Sequence, residues 1–90
     1  MKLAGKHIAI TGALMFYTRA EAFAEIAAAG GIPQSSVTRE TEILVVGNYH
    51  KNAIPDGKSR KLKTAERYIA CGIKIDIITG EMFLRLLWWT

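Results

Sequence analysis

A three-layer α/β fold, with a parallel sheet between helices, is the expectation for this 90-residue chain. Short apolar runs alternate with amphipathic helical segments, the pattern of a sheet buried on both faces. Glycines stand at the junctions between these segments. Half the residues are apolar, and mean hydropathy is +0.14, a globular rather than a disordered composition.

The elements follow in order. His7 to Thr11 is apolar and β-rich, led in by Gly5 and Lys6 and stopped by Gly12, so it is a first strand. Thr18 and Glu21 have capping-box spacing, in which each side chain satisfies the other's backbone N–H. Ala22, Phe23, Ile26, Ala27 and Gly30 then share one helical face, and Gly30-Gly31 ends the helix. Ile32 to Gln34 is a short strand whose proline puts it at an edge. A polar loop from Ser35 to Glu42 leads to the buried strand Ile43 to Val46, closed by Gly47. Asn48 to Lys58, with Pro55, Asp56 and Gly57, forms an exposed loop with a turn. A second helix spans Ser59 to Cys71 and ends at Gly72. Ile75 to Ile78 makes a fourth strand, and Thr79 can cap a last helix that carries Met82, Phe83, Leu86 and Leu87.

Composition narrows the function. No apolar run approaches the ~20 residues that cross a bilayer, so no membrane partner is expected. The N-terminus does not read as a signal peptide, which makes the cytoplasm the expected compartment. The single cysteine, Cys71, excludes an internal disulfide framework and is expected to be buried and chemically quiet. His7 and His50 have no partners at ligand spacing, so neither a metal nor a cofactor is expected. Walker, nucleophile-elbow and nuclease-type acidic motifs are missing, so the domain itself is expected to be non-enzymatic.

Twelve Lys and Arg against eight Asp and Glu give a net charge of +4 and a pI near 9.5. Six of the twelve cations lie between Lys51 and Arg67, among only two acids, Asp56 and Glu66. Such a local patch suits a nucleic-acid backbone. On a helical wheel at about 100° per residue, Leu62, Ala65, Ile69 and Gly72 share one side of helix two. Arg60, Lys63 and Arg67 lie opposite, and Lys61 sits at the edge of the apolar stripe, close to the positive helix end.

Taken together, these pieces resemble the BRCT family over nearly the whole chain. The matching residues are Gly5-Lys6, Thr11-Gly12, Thr18-Arg19, Gly30-Gly31, Thr41 to Gly47 and Ser59 to Ala65. Phe83 stands where the family often carries a tryptophan. Helix two and the strand after it are similar in length to those of BRCT domains in bacterial DNA polymerase III epsilon-type exonucleases. NAD-dependent DNA ligases and the large clamp-loader subunit, replication factor C, carry related domains.

The resemblance implies one BRCT domain over residues 1–90, sheet order 2-1-3-4, helices one and three on one face and helix two on the other. It also implies a phosphate pocket built from a strand-one hydroxyl, the next glycine N–H and a lysine at the start of helix two. Thr11, Gly12 and Lys61 take those positions. Arg19 matches the arginine that joins them in replication factor C, where the 5′-phosphate of duplex DNA is bound. Lys58, Lys63 and Arg67 are then expected to meet the DNA backbone nearby.

Plainer readings stay open for each: a strand-ending turn at Thr11-Gly12, an Arg19–Glu25 pair, and a solvated helix start from Lys58 to Lys63. The implied role is a monomeric, non-catalytic DNA-binding module of a replication or repair protein in a bacterial nucleoid. The alternative is a protein or phosphopeptide interaction module that tethers such an enzyme to replication and repair partners.

Overall fold

The computed structural model describes residues 2–48 and 59–88. The elements run β1 (His7–Thr11), α1 (Arg19–Ala28), β2 (Ile32–Gln34), β3 (Ile43–Val46), α2 (Arg60–Ala70), β4 (Asp76–Thr79) and α3 (Gly80–Trp88). All strand pairings are parallel, in the order β2-β1-β3-β4. The expected loop and turn between Asn48 and Lys58 lie outside the described residues beyond Asn48 itself.

Period-two alternation along β1 and β3 divides the core into two layers. Ile8, Ile10, Ile43 and Val45 meet Ala22 and Ile26 of α1 and Phe83 and Leu84 of α3. Ala9 and Leu44 point the other way, onto Ala65, Leu62 and Tyr68 of α2. Helices one and three therefore cover one face and helix two the other, as anticipated. Each fully buried large aliphatic or aromatic side chain contributes about 1.5–3 kcal/mol, and the α1/α3 layer holds most of them.

Four expectations shift. β4 starts at Asp76 and runs to Thr79, because its ladder with β3 carries through to the Val46–Thr79 pair. On α1, Ala22 and Ile26 are buried, whereas Ala27 is exposed. On α3, the buried residues are Phe83 and Leu84, with Leu86 and Leu87 packed alongside. Met82 is exposed; it lies about 100° of rotation behind Phe83, on the far side from Leu84 and Leu87. On α2, Tyr68 packs with Leu62 and Ala65, while Ile69 is 40% exposed. The docked face is thus centred on Ala65, with Leu62 and Tyr68 about 60° to either side.

That phase also overturns the expectation for Cys71. It caps the C-terminus of α2 and is exposed. Six residues of helix rotate it about 120° away from Ala65, off the sheet. A bulky thiol reagent should therefore modify the folded protein at nearly the rate seen after unfolding. Protection of the thiol in a stopped-flow labelling assay would contradict this placement.

Candidate anion-binding site

Backbone geometry at the carboxyl end of β1 sets out the site. Thr11 carbonyl accepts from Gly47 N–H at 2.8 Å, on the β3 side. A trans peptide points its C=O and N–H in opposite directions, and no peptide here is cis. The N–H of Gly12 therefore points away from β3, toward the side of β2. The carbonyl of Ile10 faces that side too, since main-chain groups alternate along a strand. But β2 ends at Gln34, opposite Ala9. The last polar groups of β1 on this side thus run past their neighbouring strand.

Lys61 fills part of that gap. Its Nζ donates to the Ile10 carbonyl at 2.8 Å. The two alanines of the α2 layer, Ala9 and Ala65, present little bulk between helix and sheet, and the lysine stem lies along this face to reach β1. Burial holds the Lys61 ammonium below the ordinary lysine value of 10.5, and the positive charge of Arg19 lowers it further. Two cations from opposite halves of the chain are thereby brought close enough to repel each other.

Arg19 reaches the site from α1. The capping box at Thr18 and Glu21 is fully formed, with Glu21 N–H donating to Thr18 Oγ1 at 3.1 Å and Thr18 N–H to Glu21 Oε1 at 2.8 Å. The Thr18 N–H, and after it the Thr18 hydroxyl, lower the Glu21 pKa, and the box fixes where the helix begins, hence where Arg19 stands. Its Nη2 donates to the Gly12 carbonyl at 3.2 Å. The guanidinium is therefore turned to the β1 end, not committed to Glu25.

Thr11 is only 4% exposed, and its Oγ1 donates to Ser59 Oγ at 2.7 Å. Ser59 is the N-cap of α2 and also accepts from Leu62 N–H at 3.1 Å. With both acceptor positions of its hydroxyl engaged, Ser59 keeps its own O–H to donate. Ser59 and the Ile10 carbonyl are site members that the sequence reading missed. The signal for Ser59 was present: an N-cap residue two positions before the site lysine. The first turn of α2 carries no acid and instead holds Arg60, Lys61 and Lys63. This is the reverse of what the helix dipole favours, and it concentrates positive potential.

Gly12 holds a left-handed φ of +82°, and a Cβ there would lie 3.0 Å from the Asn48 carbonyl oxygen. The loop beyond it is pinned by a bridge: Ala13 N–H donates to Asn48 O, and Asn48 N–H to Ala13 O, both at 2.8 Å. A hollow of ≈ 230 Å³ lies between Gly12, Ala13, Leu14, Tyr17, Thr18 and Arg19. Thr11 and Lys61 stand beside this hollow at β1 and do not form its wall. Lys63 and Arg67 are exposed on the outer side of α2, while Lys58 lies outside the described residues. A separate charged cluster sits at the amino end of the sheet, where His7 Nδ1 is 3.1 Å and Lys6 Nζ 3.4 Å from Glu42. Chiefly through the His7 bond, the Glu42 carboxyl is held below its ordinary pKa. Among the described residues, no helix is long and apolar enough to cross a membrane.

No family model matches the chain. It is similar to proteins named DNA ligase from several bacteria. It is 36% identical over 86 residues to that of Coxiella burnetii (strain RSA 493 / Nine Mile phase I), covering 96% of this chain and 11% of the ligase. The corresponding values are 40% over 85 residues, 94% and 11%, for Desulforudis audaxviator. For Nitrobacter winogradskyi they are 34% over 85 residues, 94% and 10%. The chain thus spans about a tenth of the length of the curated relatives it matches.

Proposed function

We propose that this chain is a BRCT domain that binds DNA through a terminal phosphate, without catalysing a reaction itself. The parallel 2-1-3-4 sheet and the similarity to a small region of DNA ligases support the family reading. The binding reading rests on one observation above the others. Arg19 and Lys61 converge at the end of β1, each anchored on a main-chain carbonyl, beside a basic helix N-terminus.

A phosphate monoester suits that arrangement, because it accepts charge-assisted bonds from several directions at once. Gly12 N–H, the Ser59 hydroxyl, Arg19 and Lys61 supply the donors. Thr11 holds Ser59 in place. Lys63 and Arg67, with Lys58 beyond the described residues, meet neighbouring backbone phosphates. Among the described residues no element is placed to read base edges in a groove, so recognition is of the end or nick rather than of sequence. Catalysis belongs to other parts of a longer replication or repair protein, such as a DNA ligase, at work in the bacterial nucleoid.

Fluorescence anisotropy with blunt duplexes, with and without a 5′-phosphate, over a salt series tests this reading. The phosphorylated duplex should bind tighter at every salt concentration. Log affinity should fall with log salt at about −0.9 per phosphate contacted. Equal affinity for the two duplexes would refute a terminal-phosphate site.

A further inference from the structure

Phe16 is the only non-glycine residue with a positive φ among the described residues, at 75°. An aromatic side chain adopts that conformation at a cost, and its surroundings must hold it. Yet its ring is not there to fill the core, since Phe16 is 70% exposed. It leans on Trp88 of α3, with ring centroids 6.0 Å apart and planes tilted by 47°. Trp88 is itself tethered by a bond from its indole Nε1 to the Tyr17 hydroxyl at 3.3 Å. Met15 beside them is 62% exposed and Trp88 57%. Three large apolar side chains thus face solvent on an ordered support.

This surface opens on a cleft of ≈ 690 Å³ whose wall includes Leu14, Met15, Phe16, Arg85 and Trp88. The cleft and the hollow beside Gly12 and Arg19 share Ala13 and Leu14 as a common wall. Gly12 and Arg19 therefore bracket the aromatic platform in sequence, and the hollow they line adjoins its cleft across Ala13 and Leu14. A nucleotide carries an anion and a flat π-surface within one unit, and the cations at the start of α2 suit the further phosphates of a DNA strand.

We infer that Phe16, backed by Trp88, stacks on the base of the terminal nucleotide whose 5′-phosphate is held by Gly12, Arg19 and Lys61. The inference rests on the phosphate reading and adds to it the recognition of an unpaired or fraying terminal base. Stacking on an aromatic ring tolerates any base, so no base preference accompanies it.

The experiment compares three duplexes: 5′-phosphorylated with an intact terminal nucleotide, 5′-phosphorylated with an abasic one, and intact with a 5′-hydroxyl. Each is titrated into the wild type, Phe16→Ala and Phe16→Tyr. The abasic end should weaken wild-type binding by roughly 5- to 150-fold, the range of one base–aromatic stack. Phe16→Ala should show the same loss on the intact duplex and little further loss on the abasic one. Phe16→Tyr should restore the difference, and unchanged melting of Phe16→Ala would show that the fold is preserved. Equal wild-type binding of intact and abasic ends, with the phosphate still required, overturns the stacking inference alone. Indifference to the 5′-phosphate overturns both readings.

Discussion

Lys61→Ala is expected to weaken binding of a 5′-phosphorylated duplex by roughly 10- to 150-fold, the equivalent of losing one charge-assisted contact worth about 1.5–3 kcal/mol. Arg19→Ala should act on the same scale, and Lys63→Ala far less. The distinction is geometric. Lys61 and Arg19 are hydrogen-bonded to the Ile10 and Gly12 carbonyls at the end of β1, whereas Lys63 lies on the outer face of α2. Unphosphorylated duplex should feel all three substitutions weakly and alike, because exposed charges contribute diffuse attraction only.

The same lysine makes a pH prediction. Its folded-state pKa lies below 10.5 because burial and Arg19 disfavour the charge. Between that lowered value and 10.5 the unfolded chain binds more protons than the folded one, so stability rises with pH across this window. Protonated Lys61 is therefore a burden on the free protein at neutral pH. Lys61→Met should leave the melting temperature unchanged or slightly raised while weakening binding of the phosphorylated end as Lys61→Ala does. Binding by the wild type should weaken as pH rises through the lowered pKa, before ordinary lysines lose their charge. A large drop in stability in Lys61→Met would mean that the lysine serves the fold instead.

Gly47→Ala is expected to be the most damaging single methyl group in the molecule. An added Cβ would press into the Ala13 carbonyl, with the Ala13 carbonyl carbon at 2.9 Å and its nitrogen at 3.2 Å. These are backbone atoms, locked by the paired Ala13–Asn48 hydrogen bonds, so no side chain can give way. A loss of about 2–4 kcal/mol is expected, among the larger effects of a point substitution. For a domain of this size, each kcal/mol lowers the melting temperature by about 4–8 °C. Gly72→Ala supplies the control: its Cβ would meet nothing within 4 Å, although φ is +99°. It should cost only the left-handed strain, about 1–2 kcal/mol. A calorimetric scan in which Gly47→Ala melts no lower than Gly72→Ala would disprove the claim that the bridge pins the site loop.

Much of this architecture is written in local signals. The capping box at Thr18 and Glu21, the buried run Ile43 to Val46 and the glycines after the helices each needed only neighbours in sequence. The less legible features depend on docking. Cys71 and Met82 are apolar or weakly polar, yet the rotation at which each helix seats on the sheet leaves them exposed. Lys61 looked like an edge residue on the wheel. Its contact with β1 follows from a helix face centred on Ala65, and from a second strand that stops at Gln34. The Ile10 carbonyl has no sequence signature at all, since any residue carries one. What was visible was the set of side chains; what was hidden was which main-chain groups β2 leaves for them.

The central claim, a phosphate seated against Gly12 N–H between Arg19 and Lys61, is most directly tested by backbone amide chemical shifts during titration with duplex DNA. With a 5′-phosphate, the Gly12 amide proton should move downfield and saturate, together with the Arg19 and Ser59 amides, and in Lys61→Ala saturation should require roughly 10- to 150-fold more DNA. With a 5′-hydroxyl duplex, only the exposed residues around Lys63 and Arg67 should shift, in proportion to falling salt. If both duplexes move the same amides, or if Gly12 stays still while the outer face of α2 responds, the pocket is not where DNA is held.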